Sequence, residues 1–144
     1  MWHTIKSISS LLISFGMLML GQGMISTLLG LRSRIEGFST EITGFIMTGQ
    51  FIGMLIGAIF AVRVISAVGH IRSFAAFASI MSVAVLAHVL YADPFFWFFL
   101  RLVTGFCLAA MIMVVESWVN ERSINENRGK ILSLYMMTSY IGSG

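Results

Sequence analysis

The sequence has 144 residues, 58% of them hydrophobic and 10% charged, with a net charge of +3 and a mean hydropathy of +0.93. Soluble domains carry about a quarter charged residues, and a chain this apolar in water would expose patches that drive association, so composition excludes an ordinary soluble enzyme or binding module. The basic excess forms no stripe or dense cluster and lies mostly between apolar stretches, which argues against a nucleic-acid footprint and for membrane topology.

Five apolar runs follow one another: residues 7–31, 43–67, 73–91, 95–119 and 130–144. About 20 residues of helix cross the hydrocarbon core. The first four runs are long enough, and the fifth holds about half a span. The runs are continuous rather than alternating and far longer than barrel strands, so they predict helices. The fold class expected is therefore an all-α membrane protein, a transmembrane helix bundle forming a single transmembrane domain. The first run follows Lys6 as a signal peptide would, but it is too long for one and no A-x-A site follows, so it reads as a retained span. Ser39 and Thr40 are candidate N-caps for the second span. Asp93-Pro94 marks a tight loop between the third and fourth, and His70 is placed in the loop before the third. Short junctions make neighbours antiparallel.

Orientation follows from the basic residues. With a cytoplasmic N-terminus, Lys6, Arg63, Arg72, Arg122, Arg128 and Lys130 lie inside, and Arg32 and Arg34 lie outside, six against two. The positive-inside rule favours this arrangement. The lone cysteine, Cys107, sits in an apolar run and closes no intramolecular disulfide.

Several polar and small residues stand out. Gly49, Gly53 and Gly57, followed by Ala61, recur every fourth residue, a smooth stripe on which a neighbouring backbone can lie closely; tight packing alone accounts for it, and sliding during a transport cycle is compatible. Arg101, with Gly105 and Ala109 on roughly the same face, lies about 9 Å into the fourth span at 1.5 Å per residue. A guanidinium cannot neutralise. At that depth it either snorkels to the outer interface or meets a partner or wet cavity inside the bundle; the interior reading is favoured. Glu116, the acid within the same span, lies roughly 22 Å further along and cannot pair with Arg101 directly; Arg63, Arg72 or Arg128 is its expected partner, and a solvated boundary acid is the alternative. Gln22 and Gln50 are buried amides that serve interhelical hydrogen bonding or, for Gln22 especially, face a cavity. His88 reads as a packed interfacial histidine. No enzyme motif, metal-ligand cluster or cofactor signature appears.

Three stretches together resemble the major facilitator superfamily. Gly57 through Arg63, then Val68-Gly69-His70-Ile71-Arg72, is similar to the short basic loop between the family's second and third spans, with Ala61 in place of the family's acid and a longer connection. Arg101-x-x-x-Gly105-x-x-x-Ala109 is similar to the family's fourth-span arginine motif. Asn127-Arg128-Gly129-Lys130 looks like its approach to the fifth span. Val68 through Arg72 and Glu116-Ser-Trp118 look closest to a YcaD-like branch.

The resemblance implies part of the N-terminal half of a twelve-helix transporter fold, four spans plus the start of a fifth. It implies a proton-coupled or facilitative carrier of small molecules working by alternating access in the cell (inner) membrane. Arg101, Gln22 and Gln50 would serve substrate or coupling. Gly57, Arg63, Gly69, Arg72, Glu116 and Arg128 would form the cytoplasmic gate or loop, and Gly49, Gly53, Gly105 and Ala109 would pack helices. The expected partners are the lipid bilayer, a small-molecule substrate and the missing C-terminal helices, with no nucleic acid, and this stretch alone is expected not to transport. The competing expectation is a small four-helix oligomer, either a small exporter or an interaction subunit.

Overall fold

A computed structural model describes residues 2–122 and 128–143. Five helices follow in order: α1 (Trp2–Ile35), α2 (Thr40–Val68), α3 (His70–Ala87), α4 (Pro94–Arg122) and α5 (Arg128–Ser143). Four of them are long and apolar enough to cross a membrane. At 29 residues, α2 and α4 reach about 43 Å at 1.5 Å per residue, beyond the roughly 30 Å of hydrocarbon. Each therefore carries a turn or more into the interfacial layers at its ends.

The connections are set by local chemistry. α1 runs four residues past position 31 and ends on Gly37, whose φ of +79° is the left-handed conformation glycine adopts cheaply. The Phe38 N–H donates to the Ser33 carbonyl at 2.9 Å and the Gly37 N–H to Arg34 at 3.1 Å, a Schellman ending. Ser39 then caps α2, its hydroxyl accepting from the Ile42 N–H at 3.2 Å.

Between α2 and α3 only Gly69 is non-helical. Its φ of 99° and ψ of 164° lie in a region essentially closed to other residues. The sequence suggested a longer connection here, because the second apolar run reads to residue 67 and the third begins only at 73. The helix nevertheless continues to Val68, with Ser66 folding its hydroxyl back to the Val62 carbonyl, and His70 is the first residue of α3 rather than a loop residue. The third helix in turn stops at Ala87, short of position 91, in turn hydrogen bonds from His88, Val89 and Leu90. Asp93 opens α4: its carboxylate accepts from the Phe95 N–H at 3.1 Å, with Pro94 at the first helical position, where a missing N–H costs nothing.

The chain divides into two compact units: Met1–Leu29 with Val115–Gly144, and Gly30–Val114. α1 and α4 each run through both. In α1 the buried side is Leu12, Phe15, Met19, Gln22, Leu29 and Ser33, with Ser26 half-buried, an alternating three–four spacing that keeps one stripe inward. α4 is the most enclosed element, with 61% of its most apolar stretch buried against 22% in each of the other three candidate spans.

The outward surfaces carry Ile13, Met17, Phe51, Leu55, Ile59, Val83 and many more large apolar side chains, as a lipid-facing surface requires. Hydroxyls on exposed helical positions turn back to the carbonyl four residues earlier: Ser14, Thr27, Thr48, Ser79 and Ser82 all do so, at 2.8–3.1 Å. In hydrocarbon no water replaces that bond, so the backbone must supply it.

Candidate functional site

Within the unit Gly30–Val114, α2 lies against α4 along a glycine seam. A Cβ placed on Gly49 would come 2.7 Å from the Phe98 carbonyl oxygen, and one on Gly57 would come 2.7 Å from that of Phe106. On Gly53 it would collide with the Leu102 carbonyl. The fit is reciprocal: on Gly105 of α4 a Cβ would collide with the Gln50 carbonyl of α2. Spacing by four on both helices (49, 53, 57 against 98, 102, 106) keeps the two backbones in contact over two turns. The stripe legible in α2 has its partner in the Arg101–Gly105–Ala109 face of α4, and Ala109 itself meets the position of a Gly57 Cβ at 3.1 Å.

This close approach places Arg101. It is 2% exposed, enclosed in the bundle, and its Nη2 donates to the Met47 sulfur of α2 at 3.6 Å. One turn along, Thr104 folds its hydroxyl onto the Arg101 carbonyl at 2.9 Å. Aromatic rings flank the seam, with Phe45 stacked on Phe98 at 4.4 Å and Phe77 of α3 against Phe106. Gln50 is half-buried, and its Oε1 has no hydrogen-bond partner among the described residues. A fixed cation enclosed this way suits an anionic group or a partner acid.

The same unit holds a cluster the sequence did not announce, where the end of α1 and the start of α4 meet the α3–α4 connection. Trp97 is fully buried and donates its indole N–H to the Tyr91 carbonyl at 2.8 Å. Phe38 meets it edge-on at 5.6 Å. The Arg32 guanidinium lies over its ring at 5.5 Å and donates to the His88 carbonyl at 3.3 Å, and Glu36 holds Arg32 from the next turn at 3.8 Å. His88 is 3% exposed, with Nδ1 2.8 Å from the Ala84 carbonyl. Burial pushes the imidazole below its ordinary value; the positive charges of Arg101 and Arg32 act in the same direction, against the bonds to Ala84 and Val85. The signal that could have flagged this cluster is a tryptophan beside a span end, where aromatic residues collect at membrane interfaces.

In the other unit, Glu116 accepts a hydrogen bond from the Tyr135 hydroxyl at 3.1 Å, and Tyr135 stacks on Phe15 at 5.6 Å. The partner expected for Glu116 was an arginine; the one found is a phenol from α5. Gln22 is 7% exposed, and neither amide atom has a hydrogen-bond partner among the described residues. Arg63 lies on the exposed side of α2 with its guanidinium over Phe60 at 5.8 Å, and Arg72 is exposed in the first turn of α3. The Arg128 side chain and Asn127, part of the basic approach to the fifth span, lie outside the described residues, as does the Arg122 side chain.

Residues 11–144 match the model of the Major Facilitator Superfamily. An uncharacterized MFS-type transporter of Yersinia enterocolitica is 28% identical over 100 residues, covering 69% of this chain and 26% of the relative. Proteins of the same description from Yersinia pestis and Yersinia pseudotuberculosis match with the same figures. The match thus spans about a quarter of the length of these curated relatives. No solved structure matches the chain.

Proposed function

The chain belongs to the major facilitator superfamily, and from that membership we propose that it supplies part of the N-terminal half of a secondary active transporter for small solutes, working by alternating access in the cell (inner) membrane. The observation that carries this reading is the family match, which runs through all four candidate spans. Because the curated relatives extend well beyond the matched stretch, the proposed transport belongs to a protein of full family length, with the remaining helices as partners. A cavity between two repeats needs both repeats.

In this proposal Arg101 is the coupling or anion-contacting group, and Gln50 and Gln22 are hydrogen-bonding contacts for the solute. Gly57, Arg63, Gly69, Arg72, Glu116 and Arg128 belong to the cytoplasmic gate, where the Tyr135 hydroxyl keeps the Glu116 carboxylate oriented. Proton coupling is part of the proposal and rests on the family pattern around Arg101 and on Glu116, the acid placed within the fourth span.

The test uses proteoliposomes that hold the full-length protein and a pH-sensitive dye, challenged with a panel of small organic solutes under an imposed pH gradient. Solute-dependent proton movement is expected, absent with the 144-residue chain alone and lost in Arg101→Ala with helix content unchanged. Full activity of Arg101→Ala would remove the coupling role. Solute-driven flux by the short chain would instead favour a small oligomeric exporter.

The proposed orientation places the N-terminus in the cytoplasm. Reporter fusions after His70 and after Arg122 are expected to report the cytoplasm, and one after Asp93 the exterior. The reverse pattern would overturn the orientation and exchange the two sides of the gate assignment.

A further inference from the structure

The ends of α1 and α3 and the start of α4 meet at His88, whose carbonyl accepts from Arg32 and whose ring packs against Trp97 with centroids 6.1 Å apart. The Ala84 carbonyl can only accept, so the His88 ring carries its proton on Nδ1 and donates it there, at 2.8 Å. Nε2 is then a bare lone pair, buried and without a hydrogen-bond partner among the described residues. The charged groups that act on the ring are Arg32 of α1 and Arg101 of α4. Of the acids of this region, Glu36 is held by Arg32 and Asp93 caps the Phe95 N–H, while Glu41 stands in the first turn of α2. Arg34 is exposed in the last turn of α1. The pocket therefore suits a neutral ring: its Nε2 is buried without a hydrogen-bond partner among the described residues, and the charged groups that act on it among those residues are cations.

We propose that His88 is a proton-sensitive latch: the neutral ring holds the Arg32–His88–Trp97 cluster closed, and protonation expels the ring and opens it. A proton on Nε2 would put a second N–H and a positive charge into a nearly water-free site beside two guanidinium groups. The ring relieves both costs by moving to solvent, since the α3–α4 connection that follows it is short and non-helical, with Leu90 and Tyr91 exposed. Because the His88 ring packs against the Trp97 ring with centroids 6.1 Å apart, and the His88 carbonyl accepts from the Arg32 guanidinium that lies over Trp97, the same movement uncovers Trp97. On the orientation proposed above the latch faces the exterior; the latch itself does not depend on that orientation.

The test uses the chain in lipid nanodiscs, where both faces see the buffer, so a wrong orientation cannot mask the result. With Trp2→Phe and Trp118→Phe, emission reports Trp97 alone. As pH falls below the ordinary histidine value of 6.5, a reversible red shift with rising iodide quenching is expected. His88→Gln, which keeps a side-chain N–H donor to Ala84 but cannot charge, is expected to abolish the transition. Arg32→Gln leaves His88 in place and removes a cation and its bond to the His88 carbonyl, and it is expected to move the midpoint upward. A transition that persists in His88→Gln, or a midpoint unmoved by Arg32→Gln, would overturn the proposal. Should the tryptophan replacements unfold the chain, hydrogen exchange of segment 84–97 in the chain with its native tryptophans carries the same test. After correction for intrinsic rates, faster exchange at low pH that disappears in His88→Gln supports the latch, and exchange independent of pH sinks it.

Discussion

Gly53→Ala is expected to destabilise the chain by about 2–3 kcal/mol, the upper part of the overpacking range, although the same change in an exposed helix interior stabilises by about 1 kcal/mol. The sign is decided by what the new methyl meets. On Gly53 it collides with the Leu102 carbonyl oxygen and comes 2.8 Å from that carbonyl carbon and 2.9 Å from the Phe106 nitrogen. All three are backbone atoms of a helix, so no side-chain rotation makes room. The two helices must separate, and separation at the centre of the seam also opens the contacts at Gly49, Gly57 and Gly105. Without water between helices, such packing supplies much of the association free energy in a membrane, so the loss extends beyond the one residue. Gly21→Ala is the matched control, since a Cβ there meets nothing within 4 Å. Thermal or denaturant unfolding in detergent should show Gly53→Ala below the wild type and Gly21→Ala at or above it. Gly53→Leu should fail to yield a monodisperse folded chain. Equal stabilisation by both alanines would mean that α2 and α4 do not approach at Gly53.

The contrast with Gly21 shows what was legible in the sequence. Helix existence was plain because membrane spans carry their own signal, continuous apolar length. The stripe at 49, 53 and 57 was plain because a spacing of four on a helix is a face. That α4 is its partner was not legible in either spacing, and the Gln50–Gly105 contact places it. Helix ends were harder to place. The connection before the third span read as residues 68–72, with His70 in it, yet α2 continues to Val68 and α3 starts at His70, because Gly69 alone supplies the turn. Glu116 was matched to arginines by charge alone, and that logic passes over a tyrosine hydroxyl 19 residues away in sequence. Least legible was the Trp97 cluster. Its members come from positions 32, 38, 88 and 97, on four different elements, and no periodicity within one segment links them. Only the tertiary arrangement puts a tryptophan under an arginine whose guanidinium also holds the last turn of another helix.

That cluster sets the second large expectation. Trp97→Ala should cost about 3–5 kcal/mol, as deletion of a large buried aromatic side chain does. Trp97→Phe, which keeps most of the ring and removes the indole N–H, should cost about 1–2 kcal/mol, mainly by leaving the Tyr91 carbonyl without its donor. The difference between the two isolates the packing that the Arg32 guanidinium and Phe38 make with the ring, because both variants lose the same hydrogen bond. Unfolding in detergent measures the totals. Limited proteolysis in the 88–93 connection locates the effect, since the loss of Trp97 frees Tyr91 and weakens the surroundings of the His88 carbonyl. Trp97→Ala should be cut there much faster than Trp97→Phe while sites at Gly69 keep their wild-type rate. If the two variants unfold alike and are cut alike, the ring contributes only its hydrogen bond, and the ends of α1 and α3 are held by something other than this tryptophan. If alanine is the more damaging by the expected margin, the rigidity of this end of the unit comes from one aromatic ring clamped between a cation and a carbonyl. Such a clamp has two ways to fail, loss of the ring or displacement of His88, and only the second is reversible with pH.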